Sequence, residues 1–295
     1  MAFEDGMLLE EIRIRDPFIL CDNGKYYLYG TTRMPEDGFS EGNFGFDVYV
    51  SDDLLNFDGP FPVFEQTEDF FGVCDYWAPE VSKLGSSYYM LASFKGREGL
   101  HGVGILKAES PLGPFKPHSE MPITPKEWAA IDGTLYFEDG KPYMVFVHEW
   151  SQIIDGTMCY AELSEDLTHF ASKPVTMFYA SENPYGRPSK MKSGKDGYIT
   201  DGPCMYRTQS GELLMLWSMK GENGYMECVY RSDNKSLFGA FAPDSLLYGD
   251  GGGHGMIFED LCGNKKFVLH TPNTRELERA KIFSLIENDG KITLE

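Results

Sequence analysis

Asp16-Pro17-Phe18-Ile19-Leu20 is the first of five stretches built on one pattern. The others are Ala78-Pro79-Glu80-Val81-Ser82, Asp132-Gly133-Thr134-Leu135-Tyr136, Asp201-Gly202-Pro203-Cys204-Met205 and His254-Gly255-Met256-Ile257-Phe258. A polar turn and a second apolar run follow each one. Those runs begin Lys25-Tyr26-Tyr27, Ser87-Tyr88-Tyr89, Lys141-Pro142-Tyr143, Glu212-Leu213-Leu214 and Lys265-Lys266-Phe267. The openers Asp16, Ala78, Asp132, Asp201 and His254 lie 62, 54, 69 and 53 residues apart. Five units of about 59 residues account for the chain, and a recurring period of this kind marks a propeller or solenoid.

Each unit carries a third apolar run, as in Val48-Tyr49-Val50, Val103-Gly104-Ile105, Met158-Cys159-Tyr160, Glu227-Cys228-Val229 and Lys281-Ile282-Phe283. A fourth short run follows in most units. Aromatic and β-branched runs bounded by Gly, Asn, Asp and Pro read as strands. No segment sustains the 3.6-residue period of an amphipathic helix. The expectation is an all-β chain: one domain over 1–295, a five-bladed β-propeller of four-stranded antiparallel blades around a channel.

Strand direction places the functional mouth. If each opener begins an innermost strand, the second strand returns to the same end after its hairpin. That end then gathers Gly30-Thr31-Thr32, Ser93-Phe94-Lys95, His148-Glu149-Trp150, Ser218-Met219-Lys220 and His270-Thr271-Pro272 beside the openers. Carboxylates, imidazoles and aromatic rings at one mouth suit a neutral polyhydroxylated ligand, an oligosaccharide above all.

Composition excludes several classes. A net charge of −20 with no basic patch argues against nucleic acid. No apolar run reaches membrane-spanning length. The acidic start, Met1-Ala2-Phe3-Glu4-Asp5, lacks the layout of a signal peptide, so the expected address is cytoplasmic. The six cysteines show no C-x-x-C spacing and read as reduced thiols, three of them inside apolar runs. The loosest stretch, 180–197, reads as a long rim loop.

Hydrolysis of a glycosidic bond needs two carboxyl groups astride it, about 6.5–9.5 Å apart when the anomeric centre inverts and about 5–5.5 Å apart when it is retained. A third carboxylate nearby raises the pKa of the proton donor by like-charge repulsion. Asp16, Asp132 and Asp201 supply three carboxyls at propeller spacing.

At this point the sequence resembles glycoside hydrolase family 43, over nearly its whole length. Arg15-Asp16-Pro17-Phe18-Ile19 is similar to the family's general-base motif. Trp77-Ala78-Pro79-Glu80-Val81 is similar to its second-blade signature, and Ile131-Asp132-Gly133-Thr134 to the motif whose aspartate tunes the acid. Gly253-His254-Gly255 resembles the fifth-blade histidine, often close to a central ion or water cluster. The resemblance implies a five-bladed propeller and inverting hydrolysis of arabinofuranosyl, xylosyl or galactosyl linkages. It implies Asp16 as general base, Asp132 as pKa modulator and Asp201 as general acid. No cofactor is required. A structural calcium or sodium ion in the channel, held through His254, is the one metal it raises.

One position departs from the family. Where a glutamate normally precedes Gly-Pro, this chain has Thr200-Asp201-Gly202-Pro203. Aspartate loses about 1.5 Å of reach. Glu149, ending a second strand, is the alternative acid, and Glu80 is another mouth carboxyl. Trp77, Glu80, Phe94, His148, Trp150, His270 and Arg279 are the substrate-binding candidates. Absence of an appended binding module suits an exo-acting enzyme on short oligosaccharides. The competing reading is a sugar-binding propeller impaired by the aspartate. A fructan-type retaining hydrolase fails on motif order, because Arg15-Asp16-Pro17 comes first and Glu227-Cys228 falls within a third strand.

Overall fold

The structure, a computed structural model, describes residues 6–33, 44–191 and 193–295. The start read above for a leader, residues 1–5, lies outside them. Five antiparallel sheets follow one another along the chain. Blade one comprises Arg15–Asp22, Lys25–Thr31, Gly45–Ser51 and Asn56–Glu65, with Met7–Leu8 added to its outer edge. Blade two comprises Gly72–Leu84, Ser87–Gly96, His101–Ala108 and Lys116–Pro117. Blade three comprises Ala130–Glu138, Lys141–His148, Thr157–Glu162 and Val175–Tyr179. Blade four comprises Asp201–Arg207, Leu213–Gly221, Gly224–Ser232 and Phe241–Tyr248. Blade five comprises Gly253–Glu259, Lys265–Thr271, Arg279–Asn288 and Lys291–Leu294. The five-bladed propeller and the third apolar runs stand as read.

Local chemistry sets the hairpins. Asn23-Gly24, Asp139-Gly140 and Asp289-Gly290 all have positive φ at both positions, between 48° and 78°. That is the type I′ turn, whose twist matches that of the strands it joins.

The cores lie between blades rather than within them. Tyr27, Tyr29 and Phe46 of blade one pack on Tyr76, Met90 and Phe94 of blade two. Leu91 and Ile105 meet Met144 and Phe146, and Val145 and Val147 meet Met215 and Trp217. Leu214 and Leu216 meet Phe267 and Leu269. Ile19 and Leu28 meet Phe258 and Val268, which closes the ring. Both faces of each sheet are therefore covered, which explains second strands that run as unbroken apolar stretches. Burial of five such seams is the main force holding the mouth residues in register.

Among the described residues no disulfide forms. Cys159 and Cys228 are buried as expected, whereas Cys204 is only half-buried. The rim stretch carries a hairpin, Ser189–Lys190 with Asp196–Gly197, tied to blade four where Arg187 N–H donates to Lys220 O at 2.8 Å.

Candidate active site

Five copies of one β-bulge build the site. In each innermost strand three residues oppose two on the partner strand. Arg15 pairs with Thr31 but Phe18 with Tyr29, and the same step recurs after Trp77, Ile131, Asp201 and Gly253. Within each bulge one residue is left-handed: Asp16 at φ 51°, Ala78 at 48°, Asp132 at 54°, Gly202 at 56° and His254 at 52°. Such bulges bend the strand and re-aim side chains, here toward the axis.

The fourth member corrects the sequence reading. Gly202, not Asp201, is in line with the other openers. Asp201 stands one residue earlier, level with Arg15, Trp77, Ile131 and Gly253. Alignment on the prolines, Pro17, Pro79 and Pro203, would have shown this.

Asp16 is 9% exposed and fully engaged. Thr31 Oγ1 donates to its Oδ2 at 2.8 Å, and its backbone N–H donates to His270 Nδ1 at 3.2 Å. His254 Nδ1 lies 3.2 Å from Oδ1. Burial pushes this carboxyl up, but the charge and hydrogen bond of His254, with Arg15 and His270 behind them, hold it well below the usual carboxylate range. Burial works against the charge of His254, yet Asp16, Asp132 and Asp201 surround it and lift it to about 10. The ring is therefore an imidazolium at neutral pH.

Asp201 behaves oppositely. Burial, then the charge of Asp132, raises it to about 7, against His254 and a 2.9 Å hydrogen bond from Tyr225 Oη to Oδ2. Asp132 is also pushed up by burial, with its Oδ2 accepting the Gly202 N–H at 3.0 Å. Two carboxylates, Asp16 and Asp132, one raised carboxyl, Asp201, and the His254 imidazolium thus share a mouth.

Glu149 belongs to a second group on the rim. His101 sits between Asp75, 3.1 Å from Nε2, and Glu149, 3.4 Å from Nδ1, and stacks on Trp77 at 4.5 Å. Burial raises Glu149, but His101 outweighs it and holds the carboxyl ionised. An ionised group is a poor proton donor, so the alternative acid is disfavoured.

Several substrate-binding candidates are not at the mouth surface. Phe94 is fully buried among Phe46, Phe64, Phe70 and Tyr76, because its strand position faces blade one. His270 is fully buried behind Asp16; burial depresses it to about 3, leaving a neutral ring that accepts an N–H. Arg279 is committed to the carbonyls of Glu10, Glu276 and Glu278. A second cation near Asp16 is Arg15: burial works against its charge, but Asp16, Tyr225, Glu278 and Asp201 raise its pKa. His148 lies flat on Trp128 at 4.1 Å and meets Gln152 Oε1 at 2.8 Å. Trp150 packs over Gly197 of the rim hairpin. Glu80 lies a rung deeper in the channel, bonded to Thr134 and raised by burial to about 8. Tyr225, Asp75 and His101 went unread in the sequence, since each sits outside the repeated pattern and meets its partners only through pairing across strands.

His254 was the candidate ion ligand. Its Nδ1 faces Asp16 Oδ1 at 3.2 Å, so that nitrogen is already engaged by a carboxylate. Among the described residues no three His, Cys, Asp or Glu side chains converge as an ion cage requires. No step below runs through an ion.

Residues 10–287 match the family described as Glycosyl hydrolases family 43. The chain belongs to that family. Among solved structures, this family-43 chain is similar to one titled an endo-arabinase from Bacteroides thetaiotaomicron VPI-5482, at 34% identity and TM-score 0.89, covering 98% of this chain and 100% of that one. It is 26% identical over 225 residues to a protein named xylosidase/arabinosidase 43A from Humicola insolens, covering 73% of this chain and 65% of the relative. A Bacteroides ovatus protein named xylosidase/arabinosidase is 22% identical over 265 residues, covering 78% and 81%. The chain thus spans less than two thirds of the Humicola insolens relative's length.

Proposed function

We propose that this family-43 chain hydrolyses arabinofuranosyl or xylosyl linkages with inversion, acting from the end of short oligosaccharides. The observation that carries it is the convergence of three carboxyls on one histidine: His254 Nδ1 lies 3.2 Å from Asp16 and 3.9 Å from Asp132, Tyr225 Oη fixes Asp201 at 2.9 Å, and this setting lowers Asp16 while raising Asp201 to about 7. Asp16 takes a proton from water as the water oxygen bonds to the anomeric carbon. The bond to the leaving oxygen breaks, and Asp201 gives that oxygen its proton. Asp132 keeps the proton on Asp201 until then, through its charge. His254 keeps Asp16 ionised and oriented. Names borne by the relatives support the sugar class; the geometry supports the roles.

The test is proton NMR of the first-formed anomer from arabino- and xylo-oligosaccharides. Inversion is expected, and Asp16→Asn should lower turnover by about 10²–10⁴-fold while sugar binding persists. Retention at the anomeric centre would sink the scheme. Binding without turnover by the unaltered protein would favour the impaired sugar-binding propeller instead. Chain-end release of monosaccharide supports exo action; mid-length products from arabinan would replace it with endo action.

A further inference from the structure

Four of the five bulges are seated on their neighbours by one recurring hydrogen bond, and the seat beneath the acid strand is built differently. The left-handed residue of each blade presents its backbone N–H to the end of the preceding blade's second strand. Ala78 N–H donates to Thr31 Oγ1 at 2.9 Å, Asp132 N–H to Ser93 Oγ at 2.9 Å and His254 N–H to Ser218 Oγ at 2.7 Å. Asp16 N–H donates to His270 Nδ1 at 3.2 Å. Thr31, Ser93, Ser218 and His270 pair with Arg15, Trp77, Asp201 and Gly253, so they hold one position in the repeat. The blade-three residue at that position pairs with Ile131 and is Val147, fully buried against blade four. A valine accepts nothing. The Gly202 N–H, the counterpart of those four donors, goes to the carboxylate of Asp132 instead.

The contrast with blade one is direct. There Thr31 Oγ1 stands between a carboxylate and the next blade, donating to Asp16 Oδ2 at 2.8 Å and accepting from Ala78. Position 147 offers no such intermediary, so Asp132 reaches the amide that follows Asp201 itself. We infer that Val147 is a positioning residue: by withholding a hydroxyl it draws the Asp132 carboxylate onto the acid strand, where its charge acts on Asp201. This rests on the acid–base reading above.

The test is Val147→Thr, nearly isosteric, with Val147→Ala as the control that removes volume and adds no hydroxyl. A hydroxyl at 147 is expected to take the Gly202 N–H and move Asp132 back by its own breadth. Turnover of substrates with poor leaving groups should fall about 10-fold, while activated aryl glycosides change little, because only the former depend on full protonation. The alkaline limb of kcat/KM should move to lower pH, since Asp201 feels Asp132 less. Asp16, His254 and Tyr225, which face the same pair from blades one, five and four, are unaltered in the variant. Val147→Ala should show neither change. Equal losses in the two variants on both substrates, with the limb unmoved, would overturn the inference. If Val147→Thr does not fold, Val147→Ser carries the same test. If the unaltered protein cleaves nothing, the functional reading fails. A crystal structure of the variant then decides the inference alone: an intact Asp132–Gly202 bond overturns it, and Gly202 N–H on the new hydroxyl supports it.

Discussion

Asp201, the proposed acid, has a side chain one methylene shorter than the glutamate that the family resemblance implies there, and its surroundings support the proposal. It is not left-handed like Asp132; it stands one residue earlier, on the rim side of the bulge, with Tyr225 Oη fixing one oxygen at 2.9 Å. Burial and Asp132 keep it protonated near neutrality, as a proton donor needs. Glu149, with a longer reach, is held ionised by His101. Asp201→Asn should therefore cost about 10²–10⁴-fold in turnover of unactivated substrates, with Glu149→Gln much milder. Azide should partly rescue Asp201→Ala on activated substrates. The kcat/KM profile of the unaltered enzyme should decline above about pH 7, where Asp201 loses its proton. Its acid limb should lie far below pH 4, because Asp16 stays ionised there. A severe Glu149→Gln with a mild Asp201→Asn would exchange the two roles.

The bulge is the element on which these residues ride, and its most exacting position is Gly202. Backbone strain is not the reason. Ala78 occupies the equivalent place at φ 48°, so a left-handed alanine is tolerated in this frame at a cost of roughly 1–2 kcal/mol. A Cβ on Gly202, however, would meet His254 Cγ and Cδ2 at 2.7 Å. Gly202→Ala should displace the imidazolium that holds Asp16, losing most activity while the protein still melts cooperatively; assay and calorimetry on one sample would separate the two effects. A Gly202→Ala enzyme with unchanged kcat would show that His254 can move freely. Much of this frame was readable. The repeat in Asp16-Pro17, Ala78-Pro79 and Asp132-Gly133 reports the bulge, because Pro and Gly follow the left-handed residue at each. Asp201 falls out of line with the other openers because Pro17, Pro79 and Pro203, not the carboxylates, hold the constant place in the bulge. Phe94 and His270 were misjudged because strand direction tells which end a residue occupies, not which face it presents. A single register step turns a side chain from one face of the sheet to the other. His101 and Tyr225 gave no signal, since their partners are assembled by pairing across strands rather than by spacing along the chain.

Across the whole molecule, the propeller concentrates buried acids near one axis in a chain that already carries a net charge of −20. Burial raises Asp201 from 3.8 to about 7, Glu227 from 4.5 to about 7 and Glu80 from 4.5 to about 8. The surrounding carboxylates, against burial, raise His254 from 6.5 to about 10. Each of these folded values lies above its unfolded one, so the native state binds more protons than the unfolded chain in the interval between them. Their stabilising contribution is complete below the unfolded pKa and is lost as pH climbs through the folded one. His270, depressed by burial from 6.5 to about 3, acts in the other direction below pH 6.5, one group against three carboxyls. Asp16, Asp53 and Asp166, all lowered, stabilise above their unfolded values and give way in strong acid. Self-repulsion among surface carboxylates adds to the alkaline loss. The thermal midpoint should therefore be highest near pH 5 and fall by roughly 5–10 °C toward pH 9. His254→Gln should flatten the part of that slope above pH 7, because the imidazolium, together with Glu80, gives up its proton there. A midpoint that is level or rises between pH 5 and pH 9 would mean that the buried acids ionise at little cost, and the charge split between Asp16 and Asp201 would lose its physical basis.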